Sequence, residues 1–365
     1  MPSNATPAAR PNSAQPDSAQ PDTTRPAAAR PAFAHLGVLD GWRGISIVCV
    51  LAAHLLPLGP ARFHFNASVA NFGMVMFFTL SGYLITSTLL ARPSVPDFLI
   101  RRFCRIVPLA WLYLLFALPL AAAPLAHYLP MFLFYGNLPP FALDPVDAQF
   151  WSLCVEMQFY LYLALLATLF PRRWPVFLPL TALAVTTLRI LTHTHISILT
   201  WYRVDEILAG GILALLATRY PAYFQTHFGP LSAARLRQFL FPFGFLLLFL
   251  SCEPASGPIQ YLRPYLSAAL IGITVFDPHN RFYAPLRGRI LTFLASISYS
   301  LYVLHSTMMV GGFDPANKIL KYERRAFGFL LLFLFAWLST RYYESAWIAW
   351  GKSLIRRRHQ HPTPA

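Results

Sequence analysis

The chain has 365 residues, of which 56% are hydrophobic and only 12% are charged. A soluble globular domain is about one quarter charged, and apolar runs long enough to cross hydrocarbon recur here, so the composition indicates a polytopic membrane protein. The net charge of +15 could suggest nucleic acid, but Lys and Arg concentrate in alternate loops, which argues against that class. The four cysteines lack the spacing of a disulfide framework or a zinc site.

Residues 1–35 differ from the rest of the chain. They are rich in Pro, Ala, Ser, Gln and Asp, and they contain the tandem repeat SAQPDSAQPD. No apolar core follows a charged start, so this segment is not a secretory signal. Its composition predicts a disordered tail.

The hydrophobic pattern then predicts an all-α bundle of about ten transmembrane helices. The segment 127–141 is short and interrupted by Pro, so we expect it to be interfacial or re-entrant rather than a span. We expect the ten helices near residues 44–60, 70–91, 107–126, 151–170, 175–191, 203–219, 238–252, 260–276, 289–310 and 326–349.

The loops predict the orientation of the bundle. One alternate set of loops and the C-terminal end hold most of the Lys and Arg, and such an excess marks the cytoplasmic side. Both termini are therefore expected in the cytoplasm. This predicts a membrane domain over 36–350 between two cytoplasmic tails, 1–35 and the basic 351–365.

The first predicted helix carries Arg43 at its cytoplasmic end and His54 near mid-membrane. Eleven steps of about 100° return to within roughly 20° of the start, so both side chains share a face, about 16 Å apart along the axis. Arg43 could be a membrane-interface anchor, and His54 could form a hydrogen bond that packs two helices. An ionisable group at the depth of His54 is nevertheless a functional candidate. The spacing would suit an acyl thioester on coenzyme A, with its phosphates at the cation and His54 as general base.

The fourth predicted helix places Ser152, Glu156 and Tyr160 at i, i+4 and i+8, on one face. A buried carboxylate at Glu156 could pair with His54, orient it and stabilise its protonated form. The alternative is a structural ion pair or hydrogen bond with another helix. Depth in the membrane favours the functional interpretation.

The sequence resembles a known family at several points. DGWRGISIVCVLAAH, residues 40–54, resembles the Arg-x10-His signature of the acyltransferase-3 family of integral membrane acyltransferases. Further stretches resemble that family's other motifs, in the family's order: GMVMFFTLSGYLIT (73–86), FLIRRFCRIVP (98–108), WSLCVEMQFYLY (151–162), ISYSLYVLHSTMM (297–309) and TRYYESAWI (340–348). The resemblance extends over about residues 36–355, and it is to the stand-alone form without a fused hydrolase-like domain.

The resemblance implies transfer of an acyl group, most often acetyl, from cytoplasmic acyl-CoA to a hydroxyl of a glycan, an exopolysaccharide or a lipid-linked saccharide. The enzyme would lie in a bacterial cytoplasmic (inner) membrane and reach its acceptor from the outer face. His54 would be the general base or acyl-relay residue, assisted by Glu156. Arg43, Arg102 and Arg105 would hold the donor, since arginine grips phosphate oxygens bidentately. Direct transfer and a covalent acyl-enzyme both stay open.

Other polar positions are candidates for acceptor binding. Arg203, Asp205 and Glu206 lie at an outer helix end, where a structural ion pair between Arg203 and Glu206, at i and i+3, competes with sugar recognition. Tyr160 shares the face of Glu156, and His305 shares one with Ser298 and Tyr302 on the ninth predicted helix, where a packing network is the alternative. No third ligand accompanies the paired histidines of the loop near 193–195, so we expect no metal.

Two other function classes remain at this stage. Intramembrane His, Glu, Asp and Arg also form proton relays, so a proton-coupled transporter or permease is the alternative to an enzyme. No internal repeat or pair of broken helices supports it. A membrane scaffold would leave His54 without a role. The partners expected are lipid and a glycan acceptor rather than nucleic acid, and a homo-oligomer stays open.

Overall fold

A computed structural model of the protein describes residues 36–141, 143–221, 223, 234–310 and 318–360. Within these ranges the chain is helical and contains no strand, which confirms the all-α prediction for this part of the molecule. The predicted tail 1–35 lies outside the described residues.

The helices follow one another through short connections. In chain order they are α1 (Gly37–Leu55), α2 (Phe65–Ala91), α3 (Val95–Leu120), α4 (Leu125–Phe132), α5 (Phe150–Leu169), α6 (Trp174–Leu191), α7 (Thr200–Arg203), α8 (Asp205–Arg219), α9 (Ala234–Ser251), α10 (Arg263–Phe276), α11 (Arg289–Ser296), α12 (Ser298–Leu304), α13 (Thr307–Val310), α14 (Lys318–Leu338) and α15 (Ser345–Gln360). A π-helical turn, Ser339–Glu344, joins α14 to α15.

Six described segments are long and apolar enough to cross a membrane: α1, α2, α3, α5, α6 and the continuous stretch Glu323–Gln360. The protein is therefore a multi-pass membrane protein. The other four predicted spans coincide with helices that are shorter or interrupted, namely α7 with α8, α9, α10, and the run α11 to α13. The segment 127–141 contains only the end of α4 and turns, so it is too short to span.

Two predicted segments differ from continuous, bounded helices. The ninth breaks at Ile297 and again after Leu304, so His305 lies in a turn rather than on the same helix as Ser298. The last helix continues to Gln360, past the predicted domain boundary at 350. Both differences arise from local backbone geometry that hydrophobic periodicity does not report.

Close helix contacts hold the bundle together. Gly82 of α2 and Gly210 of α8 face each other's helix so closely that an added Cβ would overlap a carbonyl oxygen of the partner helix. In α1, the Ser46 hydroxyl donates to the Gly73 carbonyl of α2 at 2.5 Å. Small residues let membrane helices approach and gain packing contacts that large side chains would prevent. This packing fixes the heights of α1, α2 and α8 relative to one another.

Candidate active site

A small cavity lies among α1, α2, α3, α5 and α12. Its lining includes Arg43, Arg102, Arg105, Glu156 and Tyr160. We call it the arginine cavity. It brings together residues that are far apart in the sequence. Its lining carries three guanidinium groups against one carboxylate, so an anion would be attracted to it.

A second, more open pocket adjoins the first. It is lined by Arg101, Arg102, Arg105 and Lys352, together with Thr88, Cys104, Ile348 and Gly351. We call it the basic mouth. Arg102 and Arg105 line both pockets, and the Arg102 Nη2 group donates to the Thr88 hydroxyl at 3.2 Å. The two pockets therefore share the cationic side chains of Arg102 and Arg105 on α3.

Glu156 is almost fully buried in α5, and Tyr160 follows it by one helical turn. The Tyr160 hydroxyl donates to Glu156 Oε1 at 2.7 Å, and the Arg102 guanidinium carbon lies 5.9 Å from the Tyr160 ring centre. The sequence suggested that Glu156 could pair with His54; among the described residues, Glu156 bonds Tyr160 and His54 bonds His305. Glu156 lines the arginine cavity together with Arg43, Arg102 and Arg105.

His54 lies in the last turn of α1 and pairs with His305, at the turn after α12. The two nitrogens, His54 Nδ1 and His305 Nε2, are 3.0 Å apart. The ring centres are 5.1 Å apart and the planes differ by 8°. The ring planes are thus nearly parallel, and the two nitrogens lie within hydrogen-bond distance. His54 is exposed and His305 is buried.

The hydrogen bonds of His305 assign the tautomers of the pair. His305 Nδ1 lies 2.6 Å from the Tyr302 carbonyl oxygen, which can only accept, so Nδ1 carries the proton. In the neutral ring, His305 Nε2 is then an acceptor, and the His54 Nδ1–H group donates to it. This leaves His54 Nε2 unprotonated. His54 therefore presents a proton-accepting nitrogen whose orientation is held by a second histidine.

Polar groups at the start of α5 hold the His305 turn. The Gln149 side chain donates to the Val303 carbonyl at 3.1 Å and accepts from the Ser306 hydroxyl at 2.5 Å. The Tyr302 hydroxyl donates to the Gln149 carbonyl at 2.8 Å. Sequence reasoning missed Gln149, because a Gln just before an apolar helix carries no signal of its own. These bonds fix the chain on both sides of His305.

The candidate acceptor residues Arg203 and Asp205 lie in a buried ion network instead of at an open mouth. Arg203 Nε is 3.3 Å from Glu206 Oε2, Arg263 Nε is 2.9 Å from Glu206 Oε1, and Arg189 bonds Asp205. All five side chains are at most 2% exposed. The geometry supports the structural ion pair that the sequence left open. The sequence missed Arg189 and Arg263, although an Arg inside an apolar segment is a signal in itself.

Three further side chains have the chemistry of metal ligands. His127 Nε2 lies 2.7 Å from Asp147 Oδ2 and 3.8 Å from Asp144 Oδ2. We call this group the His–Asp–Asp cluster. Asp147 is buried, and burial raises the pKa of its carboxyl group. Asp147 also accepts from the Asp144 amide at 2.9 Å, so the direct bonds already satisfy it and close the turn before α5.

Comparison with known proteins identifies the family. A family model described as an acyltransferase domain matches residues 36–341. The chain is also similar to peptidoglycan O-acetyltransferase OatA of Listeria monocytogenes serovar 1/2a (strain ATCC BAA-679 / EGD-e), with 30% identity over 165 residues. That match covers 38% of this chain and 24% of OatA. No solved structure matches. Since the family model covers most of the chain, the protein belongs to the acyltransferase-3 family and is an acyltransferase.

Proposed function

We propose that this membrane acyltransferase transfers an acyl group, most often acetyl, from acyl-CoA to a hydroxyl group of a glycan or lipid-linked saccharide. The observation that carries the proposal is the arrangement of three arginines around one cavity, on a bundle that also holds an oriented histidine base. The family assignment favours this enzyme over the transporter alternative. The peptidoglycan acceptor in the name of the Listeria relative supports a glycan acceptor.

The donor would enter at the basic mouth. Coenzyme A carries several phosphate groups, and arginine binds phosphate oxygens bidentately, so Arg102 and Arg105 suit its diphosphate. Arg43 lines the deeper cavity, and we assign it to the same donor. Glu156 and the Tyr160 hydroxyl form a hydrogen-bonded pair beside these cations, where they would orient the guanidinium groups and the donor arm.

The transfer would proceed at His54. Its Nε2 atom takes the proton of the acceptor hydroxyl, and the oxygen attacks the thioester carbonyl carbon. The new C–O bond forms, the C–S bond breaks, and the coenzyme A thiolate leaves and recovers the proton from the imidazolium. His305 accepts the hydrogen bond from His54 Nδ1 throughout, so it is a positioning residue. Direct transfer needs no covalent acyl-enzyme.

We further propose a bundle of ten spans over residues 36–350 with both termini in the cytoplasm, in a bacterial inner membrane. The distribution of Lys and Arg supports this orientation. It puts the basic mouth on the side where acyl-CoA is found, and the end of α1 with His54 toward the outer face. The homo-oligomer that the sequence left open has no support from the comparisons.

Donor binding tests the proposal most directly. We would measure binding of radiolabelled acetyl-CoA to the protein in nanodiscs, for wild type, Arg102→Ala and His54→Ala. Arg62→Ala, which removes an exposed charge elsewhere, is the matched control. Loss of a charge-assisted hydrogen bond of about 1.5–3 kcal/mol predicts donor affinity lower by roughly 10- to 150-fold for Arg102→Ala.

The histidine variant tests the chemical step. His54→Ala should keep the donor affinity of wild type and lose transfer by roughly 10²- to 10⁴-fold, the usual contribution of a general base. Transfer is measured as alkali-labile label in the glycan fraction of membranes that contain the protein. A wild-type protein that binds neither acetyl-CoA nor longer acyl-CoAs would refute the proposal.

A further inference from the structure

The arginine cavity does not reach the histidine pair. Arg43 lines the cavity, whereas neither His54 nor His305 is among its lining residues in the described chain. Ile47 and Val50 lie on the α1 face between Arg43 and His54, and they are 3% and 2% exposed. Packed side chains therefore fill the roughly 16 Å between the donor cations and the base. A thioester that enters among the arginines reaches His54 only if a side chain moves.

Phe77 of α2 is the side chain at this boundary. It lines the arginine cavity, and its ring stacks on the ring of Tyr302, with centres 5.9 Å apart and planes 11° apart. The Tyr302 ring in turn lies 5.6 Å from the His305 ring, and its carbonyl accepts from His305. Within this pair of rings, Phe77 therefore adjoins the arginine cavity and Tyr302 adjoins His305.

Phe77 is the partner that is free to move. Tyr302 is 3% exposed, and its hydroxyl is held at 2.8 Å by the Gln149 carbonyl and at 2.6 Å by the Ser152 hydroxyl. Turning Tyr302 would break both bonds and disturb the turn that carries His305. Phe77 is only partly buried and has no polar group to lose, so its ring can turn at the cost of dispersion contacts alone.

We propose that Phe77 determines which acyl groups the enzyme accepts. This inference rests on the proposed function. The acyl end leads the donor arm into the cavity, so it is the part that first meets the Phe77 ring. Turning the ring away from Tyr302 opens a passage no larger than the ring itself, which admits a short acyl group. A longer chain would need space that Phe77 and the packed residues of α1 occupy.

The experiment compares the binding of acyl-CoAs of increasing length. Equilibrium binding of coenzyme A, acetyl-CoA and butyryl-CoA is measured for wild type, Phe77→Ala and Phe77→Leu in nanodiscs. Phe177→Ala, which removes a partly buried ring tilted against the Phe170 ring with centres 4.9 Å apart and outside the cavity, is the matched control. Phe77→Leu keeps a large apolar side chain, so the test stands even if the Ala variant folds poorly.

Each methylene group that becomes buried should tighten binding about fourfold. We therefore expect Phe77→Ala to bind butyryl-CoA up to about 15-fold more tightly than acetyl-CoA. Phe77→Leu should show a smaller preference for butyryl-CoA. Wild type and Phe177→Ala should show no such preference. The inference is overturned if the ratio of the two affinities is the same in wild type and in both Phe77 variants. A wild type that binds no coenzyme A derivative refutes the proposed function, and the inference with it.

Discussion

Replacement of His305 would test whether the histidine pair works as a unit. In His305→Ala, the His54 Nδ1–H group loses the acceptor that now lies 3.0 Å away. During transfer His54 becomes an imidazolium, and a hydrogen bond from a charged group contributes about 1.5–3 kcal/mol. If the hydrogen bond from the charged ring stabilises only the transition state, its absence in His305→Ala lowers kcat by roughly 10- to 150-fold. The KM for acyl-CoA should stay unchanged, since His305 does not line the arginine cavity.

Transfer of labelled acetyl groups to membrane glycans, followed against acetyl-CoA concentration, separates kcat from KM. His305→Gln is the conservative variant: its side-chain oxygen can accept from His54, and we expect it to recover part of the lost rate. His279→Ala, at an exposed histidine, is the control. Folded yield and melting temperature are recorded for each protein because His305 is buried. An unchanged kcat in folded His305→Ala, or a higher KM alone, would refute the positioning role.

Three further predictions concern the fold. Gly210→Ala should remove folded protein from detergent extracts, because the new Cβ overlaps a carbonyl oxygen of α2. In the control Gly244→Ala the new Cβ meets its nearest atom at 3.8 Å, so this variant should fold. Equal yields of the two folded variants would contradict this prediction. Arg263→Met should lower the free energy of unfolding by about 3–5 kcal/mol, because it leaves Glu206 buried with a lost partner, and an unchanged melting temperature would count against the network. EDTA should leave the melting temperature unchanged, because direct hydrogen bonds satisfy the His–Asp–Asp cluster; a fall that Zn²⁺ reverses would reveal a bound metal ion.

Periodicity and charge predicted much of the structure from the sequence. The ten predicted segments lie largely within helices, since long apolar runs in a membrane protein satisfy their backbone in no other local way. Six described segments are long and apolar enough to span a membrane. Position in the predicted helices singled out Arg43 and Glu156, the family resemblance added Arg102 and Arg105, and the structure brings all four to one cavity. Their chemistry was readable because each is an ionisable group beside or within an apolar run.

The partners of these groups were harder to predict. Whether Glu156 meets His54 or Tyr160 depends on how α1, α5 and α12 rotate against one another, and no sequence spacing encodes that rotation. The same holds for Glu206, whose partner Arg263 lies 57 positions away. The break that puts His305 in a turn was also invisible, since the apolar pattern of 289–310 is continuous.

The histidine pair has a consequence for how the enzyme is made. Its two rings are 251 positions apart in the chain, so α1 enters the membrane during synthesis long before its partner exists. A nascent or truncated chain that ends before α12 contains Arg43, Arg102 and Arg105 but lacks His305, the hydrogen-bond partner of His54. Catalytic competence therefore arrives late in synthesis, after most of the bundle has been inserted. Such chains also lack the residues of α12 and α15 that complete the arginine cavity and the basic mouth.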